Sequence, residues 1–265
     1  MKNLIKSLSH KKSLFLIASL GSLITCSVET VPSSEVNSHV FYRNYGLDYD
    51  AQTRELRAKA RFTVGGWTGT TLKLVDDASI SLNNEPLEEV SLFGTSYSLR
   101  KFFFQLKPEY TFTFRNNANA VSKETFAFPA SISLVESPKI NEALVAHKDM
   151  YVSLEGPSLN ASETVVCSAH TLEKGQPAQL TPEQQKTLES DGNKTIEAQH
   201  YVESNFNPSD FSCVFPYEKL SQLPLGRFEI TAKRTRKQNL NSFDGDLGGS
   251  FMASYQSKPM TVTLK

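Results

Sequence analysis

The chain has 265 residues, of which 39% are hydrophobic, and its 17 Phe and 9 Tyr are spread along its length. That supplies one large or two ordinary cores and excludes wholesale disorder. Basic and acidic residues balance at 28 each, but Lys2, Lys6, Lys11 and Lys12 fall within residues 1–25, which hold no acid; the rest of the chain is net −4. A mildly acidic body excludes nucleic acid as the expected partner, since phosphates call for basic surface.

Ser13–Thr25 is a short apolar stretch behind the basic start. It is shorter than the roughly 20 residues a spanning helix needs, so residues 1–25 read as a signal peptide. The stretch ends in Leu23-Ile24-Thr25-Cys26, which resembles the lipobox of bacterial lipoproteins, with Thr25 standing where Gly, Ala or Ser is usual. The resemblance implies cleavage before Cys26 and lipid on its sulfur. The partner it implies is the membrane, at the cell envelope. Ser27, in place of an Asp, favours the outer membrane. Residues 26–38 are polar and free of aromatics, and read as a lipidated tether.

Residues 39–136 follow a period of two. Tyr110, Phe112 and Phe114 alternate with Thr111, Thr113 and Arg115, and Leu72/Leu74, Ile80/Leu82 and Ile132/Leu134 repeat the pattern. Such alternation marks half-buried antiparallel strands, with turns at Gly65-Gly66, Asn83–Pro86, Lys107-Pro108-Glu109 and Asn116-Asn117. The stretch from Phe102 to Phe114, broken at Pro108, reads as a hairpin. About seven short strands in this span predict a β-sandwich of immunoglobulin-like form.

Glu136–Lys139 reads as a joint, and residues 140–265 as a second sandwich. Its strands are expected at Tyr151–Leu154, Thr164–Cys167, Arg227–Thr231, Phe251–Tyr255 and Met260–Leu264, with short helical insertions near Thr181–Gln185 and Tyr217–Gln222. The fold class is therefore all-β, with two tandem sandwiches. The layout, with Leu223-Pro224-Leu225-Gly226 and Gly248-Gly249 before late strands, resembles uncharacterised two-domain envelope lipoproteins. That resemblance implies a fold and an address, and no activity.

Cys167 and Cys213 are the cysteines left after Cys26, and export makes a bridge between them the expected state; the alternative is two buried free thiols. Lys233-Arg234-Thr235-Arg236-Lys237 is the densest basic run. Lys233, Arg234, Arg236 and Lys237 either meet an anionic ligand such as a headgroup or form the solvated end of a strand. Trp67, between glycines, either stacks on a sugar or plugs a core end. Asp244-Gly245-Asp246 lacks the further acids of a calcium loop and reads as a turn. The five histidines have no metal-ligand spacing, so no metal or cofactor is expected. No nucleophile elbow, zinc-protease motif, phosphate loop or dinucleotide fingerprint is present. The expected function is a non-catalytic envelope lipoprotein that binds another envelope protein, with a glycan-binding module or a hydrolase of distant residues as alternatives.

Overall fold

The computed structural model describes residues 30–91, 94–135, 140–172, 201–221, 223 and 226–264. Cys26 and the expected signal peptide, the joint at 136–139, the helix expected at Thr181–Gln185 and the Pro224-Leu225 step lie outside the described residues.

The strands of the first half are β1 (Thr30–Pro32), β2 (Phe41–Asp50), β3 (Glu55–Val64), β4 (Thr70–Lys73), β5 (Ser79–Leu82) and β6 (Glu85–Pro86). They continue as β7 (Glu88–Val90), β8 (Ser96–Lys101), β9 (Glu109–Arg115), β10 (Val121–Ala127) and β11 (Ser133–Leu134). Helix α1 (Ile140–Val145) leads into β12 (Met150–Glu155), β13 (Glu163–Thr171), β14 (Tyr201–Glu203), β15 (Asn205–Asn207) and β16 (Ser212–Phe215). Helix α2 (Tyr217–Leu220), expected from the sequence, precedes β17 (Gly226–Leu240), β18 (Gly249–Gln256) and β19 (Met260–Leu264).

The chain is all-β. One long sheet runs β1-β4-β3-β2-β18-β17-β13-β14, with β8 also on β3, β7 on β8 and β19 on β17. Two four-stranded sheets, β10-β9-β5-β6 and β11-β12-β16-β15, cover it. The first covering sheet and β2, β3 and β18 enclose an aromatic core, in which Tyr45 stacks on Phe112 at 4.5 Å and Phe126 on Phe251 at 4.0 Å. The second covering sheet meets β13, β17 and β19 around Val152, Cys167, Phe215, Phe228 and Ile230.

The two cores do not divide the chain in sequence order. Leu240, Phe251 and Ala253 belong to the first core, while Phe228, Ile230 and Ala232 on the same strand as Leu240 belong to the second. Strand β17 is 15 residues long, and its buried residues share one parity, so one face of it lines both cores. Its C-terminal half pairs with β18, Leu240 opposite Gly249 and Lys233 opposite Gln256. Strand β18 in turn runs parallel to β2, Gly249 beside Arg43 and Gln256 beside Asp50. This parallel pairing departs from the expected antiparallel sheet. Gly249 permits it, because a Cβ there would lie 1.8 Å from the Arg43 carbonyl oxygen.

Two further expectations are corrected. Residues 30–38 are not free tether: β1 pairs with β4, and Ser33 is buried, its hydroxyl donating to Asn117 Oδ1 at 2.8 Å and accepting from the Val75 amide at 3.1 Å. Absence of aromatics hid a strand held by backbone and hydroxyl hydrogen bonds. The hairpin is formed by β9 and β10, turning at Asn116–Ala120, rather than by Phe102–Phe114. Phe103 adopts a positive φ of 53° and ends the β8 extension, so Phe104 and Leu106 pack inward while Phe102 and Phe103 face solvent.

Candidate functional site

Among the predicted positions, the basic run is dispersed by the alternation of β17. Arg234 points inward and is 2% exposed. Its guanidinium reaches Glu163 Oε2 at 2.6 Å and donates to the carbonyls of Pro157 at 2.8 Å and Ser158 at 2.9 Å. Arg236 takes the other Glu163 oxygen, with Nη2 at 2.8 Å from Oε1, and donates from Nη1 to the Ala127 carbonyl at 3.1 Å. Glu163 opens β13 directly opposite Arg236, and Ala127 closes β10 of the first sandwich. The run is thus a joint between the two halves. Burial raises the Glu163 carboxyl, but the hydrogen bond from Arg234 and the two positive charges outweigh it and hold the group below its ordinary range. Lys233 and Lys237 are exposed, and Arg236 is only partly so. Arg234 is therefore not available to an anionic ligand, which corrects the reading of the run as one patch.

A second buried cluster was not legible in the sequence. Arg43 sits on β2 among inward-facing Phe41, Tyr45, Leu47 and Tyr49, and its side chain is fully buried. It pairs with Glu124 of β10 at 2.6 Å and with Asp246 at 2.7 Å, and donates to the Asn241 carbonyl at 2.6 Å. Asp246 Oδ1 accepts from the amides of Phe243 at 2.8 Å and Gly248 at 2.9 Å. The Asp244-Gly245-Asp246 segment is a turn, as expected, and the structure adds its pairing with Arg43. Desolvation raises the Glu124 carboxyl against the opposing pull of Arg43.

Cys167 and Cys213 form the expected disulfide, joining β13 of the long sheet to β16 of the covering sheet through the second core. Trp67 does not plug a core; it is 72% exposed in the β3–β4 loop. Phe102 and Phe103 are exposed at the opposite end of β3, where the Phe104 amide donates to the Arg54 carbonyl at 2.9 Å and the Arg100 guanidinium lies 5.1 Å from the Phe102 ring. The outer face of the β9–β10 sheet carries a shallow groove of about 510 Å³ lined by Ser79, Ser81, Asn84, Thr113, Arg115, Val121 and Lys123. His147 packs on the Tyr217 ring at 4.9 Å. Among the described residues no group of three His, Cys, Asp or Glu side chains is placed to hold a metal, and no helix is long and apolar enough to cross a membrane.

No family model matches the chain, and no curated protein does. Among solved structures, the chain is similar to the adhesin InvE of Yersinia pseudotuberculosis at 9% identity, over 84% of this chain and 58% of that chain, with a TM-score of 0.21. The chain spans a little over half the length of that structure, and at that score the likeness carries no argument about function.

Proposed function

We propose that this chain is an exported lipoprotein, anchored to the cell envelope through lipid on Cys26, that serves a non-catalytic binding role toward another envelope protein. The observation that carries the reading is the basic, short apolar, Leu23-Ile24-Thr25-Cys26 sequence placed four residues ahead of Thr30, where the first sandwich begins. An anchor of two or three acyl chains holds stably, whereas one chain binds only marginally. Ser27 favours the outer membrane.

The shape of the long sheet supports a presenting role. From the level of Thr30, β2 and β18 run toward Asp50 and Gln256. Strand β17 continues past that level by seven residues, Gly226 to Ala232, into the second core, roughly 23 Å further along at strand rise. The second sandwich is thereby held away from the anchored end, with Phe102 and Phe103 beside the waist. Exposed aromatic residues are common anchors of protein interfaces.

The test is a cross-linking pull-down from intact envelopes with wild type and Cys26→Ser as baits, each with its own N-terminal mass. A mass gain of acyl size, and a partner recovered with wild type alone, supports the proposal. An unacylated N-terminus, or no saturable partner from either bait, sinks it.

A second reading, a glycan-binding module, is favoured by the exposure of Trp67. Trp67→Ala would then abolish binding on a polysaccharide array while leaving thermal stability within a degree or so; retained binding removes this reading.

A further inference from the structure

Three exposed apolar side chains share one end of the first sandwich. Trp67 is 72% exposed, Leu247 51% and Val40 37%. Their backbones are tied together: the Gly65 amide donates to the Val40 carbonyl at 2.9 Å, and the Leu247 amide to the Phe41 carbonyl at 2.8 Å. The Trp67 loop is braced rather than loose. Thr63 Oγ1 donates to the Gly66 carbonyl at 2.5 Å and the Gly69 amide to the same oxygen at 3.1 Å. Gly69 closes this turn because a Cβ there would lie 1.7 Å from the Val64 carbonyl oxygen. An ordered loop therefore holds a large apolar ring in water, a cost that burial against an external surface would remove.

The same end receives the start of the described chain. Strand β1 runs parallel to β4, with Thr30 opposite Thr71 and their hydroxyls 3.1 Å apart, and β4 begins immediately after the Trp67 loop. Cys26 precedes Thr30 by four residues, a reach of at most about 14 Å for a fully extended chain. The acids nearby are engaged within the protein: Asp246 faces Arg43, and Asp244 accepts from Asn116 Nδ2 at 3.0 Å. The second core lies in the opposite direction along β17.

We infer that the Trp67, Val40 and Leu247 end rests against the lipid bilayer, with the Trp67 ring at the level of the headgroups. The inference rests on the lipid anchor proposed above and adds an orientation to it. An indole suits that boundary because its body is apolar and its N–H finds polar partners at the headgroups. Three apolar side chains bind a membrane weakly by themselves. Beside an acyl anchor they fix which face of the body meets the bilayer, by local concentration.

Trp67 is the one tryptophan of the chain, so its fluorescence reads this site alone. The full processed chain is reconstituted into vesicles of phosphatidylethanolamine and phosphatidylglycerol, with and without brominated acyl chains. The expected result is a blue-shifted emission, quenched severalfold by the brominated lipid and shielded from acrylamide. A Trp67→Phe chain carrying Leu247→Trp is expected to repeat the quenching, and Cys26→Ser to show water-like emission. Flotation and N-terminal mass are measured on each sample. An acylated, floating chain whose Trp67 emission stays water-like and unquenched overturns the inference while leaving the anchor in place. Emission that shifts only on adding soluble polysaccharide also overturns it, in favour of a glycan. An unacylated chain that does not float overturns the anchor and the inference together.

Discussion

At the residue scale, the two buried arginines decide how much of the interior is electrostatic. Removing one partner of a buried ion pair leaves the other charge desolvated and alone, which costs about 3–5 kcal/mol. Arg234→Ala leaves Glu163 with Arg236 as its remaining charged partner and the Pro157 and Ser158 carbonyls without their donor, and is expected to lower the urea midpoint by a cost at the lower end of that range. Lys237→Ala, three positions on in the same basic run but exposed, is expected to change stability by less than about 0.5 kcal/mol. Equal effects would mean that Arg234 is not buried as described. The carboxylates set the pH dependence. Glu55, bonded by Arg57 at 2.6 Å and by Arg100, is held down to about 2, and Glu163 also lies below its ordinary value. Both bind protons more readily unfolded than folded. Their contribution is therefore full above the ordinary carboxylate range and is lost as pH falls from that range through the lower folded-state values, about 2 for Glu55. Glu124, shifted upward, works in the opposite sense over the interval just above that range. Glu163→Gln is expected to flatten the acid limb of a stability–pH curve measured by urea unfolding. A limb as steep as that of wild type would exclude Glu163 as a source.

At the element scale, β17 and β18 carry the most consequence. Phe251 lies far along the chain, yet stacks on Phe126 in the first core, so truncating it opens a cavity among β2, β9 and β10. Phe251→Ala is expected to cost about 3–5 kcal/mol, read by thermal or urea unfolding, with near-ultraviolet circular dichroism reporting loss of packing around the first-core tyrosines. A loss below about 1 kcal/mol would show that β18 is not an integral part of that core. The disulfide acts within one element pair, β13 against β16. With a sequence separation of 46, chain-entropy reasoning gives it about 4 kcal/mol. Reduction, or Cys167→Ser with Cys213→Ser, is expected to lower stability by that order, and unchanged stability would place the cysteines apart.

At the scale of the whole molecule, the question is whether two cores behave as one. A single face of β17 lines both, and Arg236 ties Ala127 of the first half to Glu163 of the second. Both links favour joint unfolding, so scanning calorimetry of the wild type is expected to give one transition whose calorimetric and van't Hoff enthalpies agree. Arg236→Ala removes a side-chain link while leaving the strand intact, and is expected to broaden or split that transition. Two well-separated transitions in the wild type would mean that the continuous sheet does not couple the cores.

The sequence by itself determined the class of secondary structure, because period-two alternation with aromatic and threonine residues leaves little choice of backbone state. It also picked out the cysteine pair, the α2 turn and the turn character of Asp244–Asp246, each of which rests on local chemistry. Only the tertiary structure decided the rest. Arg43 and Arg234 stand on the inward parity of their strands, but so polar a side chain argues locally for the surface; the carboxylate partners that permit burial come from strands about 80 and 70 positions away, as the pairings with Glu124 and Glu163 record. The basic run reads as one patch in sequence, but a strand turns alternate residues to opposite faces and divides it. Trp67 is equally suited to a core or a surface, and its exposure follows from a glycine-closed loop projecting beyond the sheet. Parallel pairing of β2 with β18 joins residues about 200 positions apart, and Thr30, Trp67 and Leu247 come to one end. A register set by long-range backbone pairing leaves no local signature, and for that reason the gathering of these residues at one end had to be read from the fold.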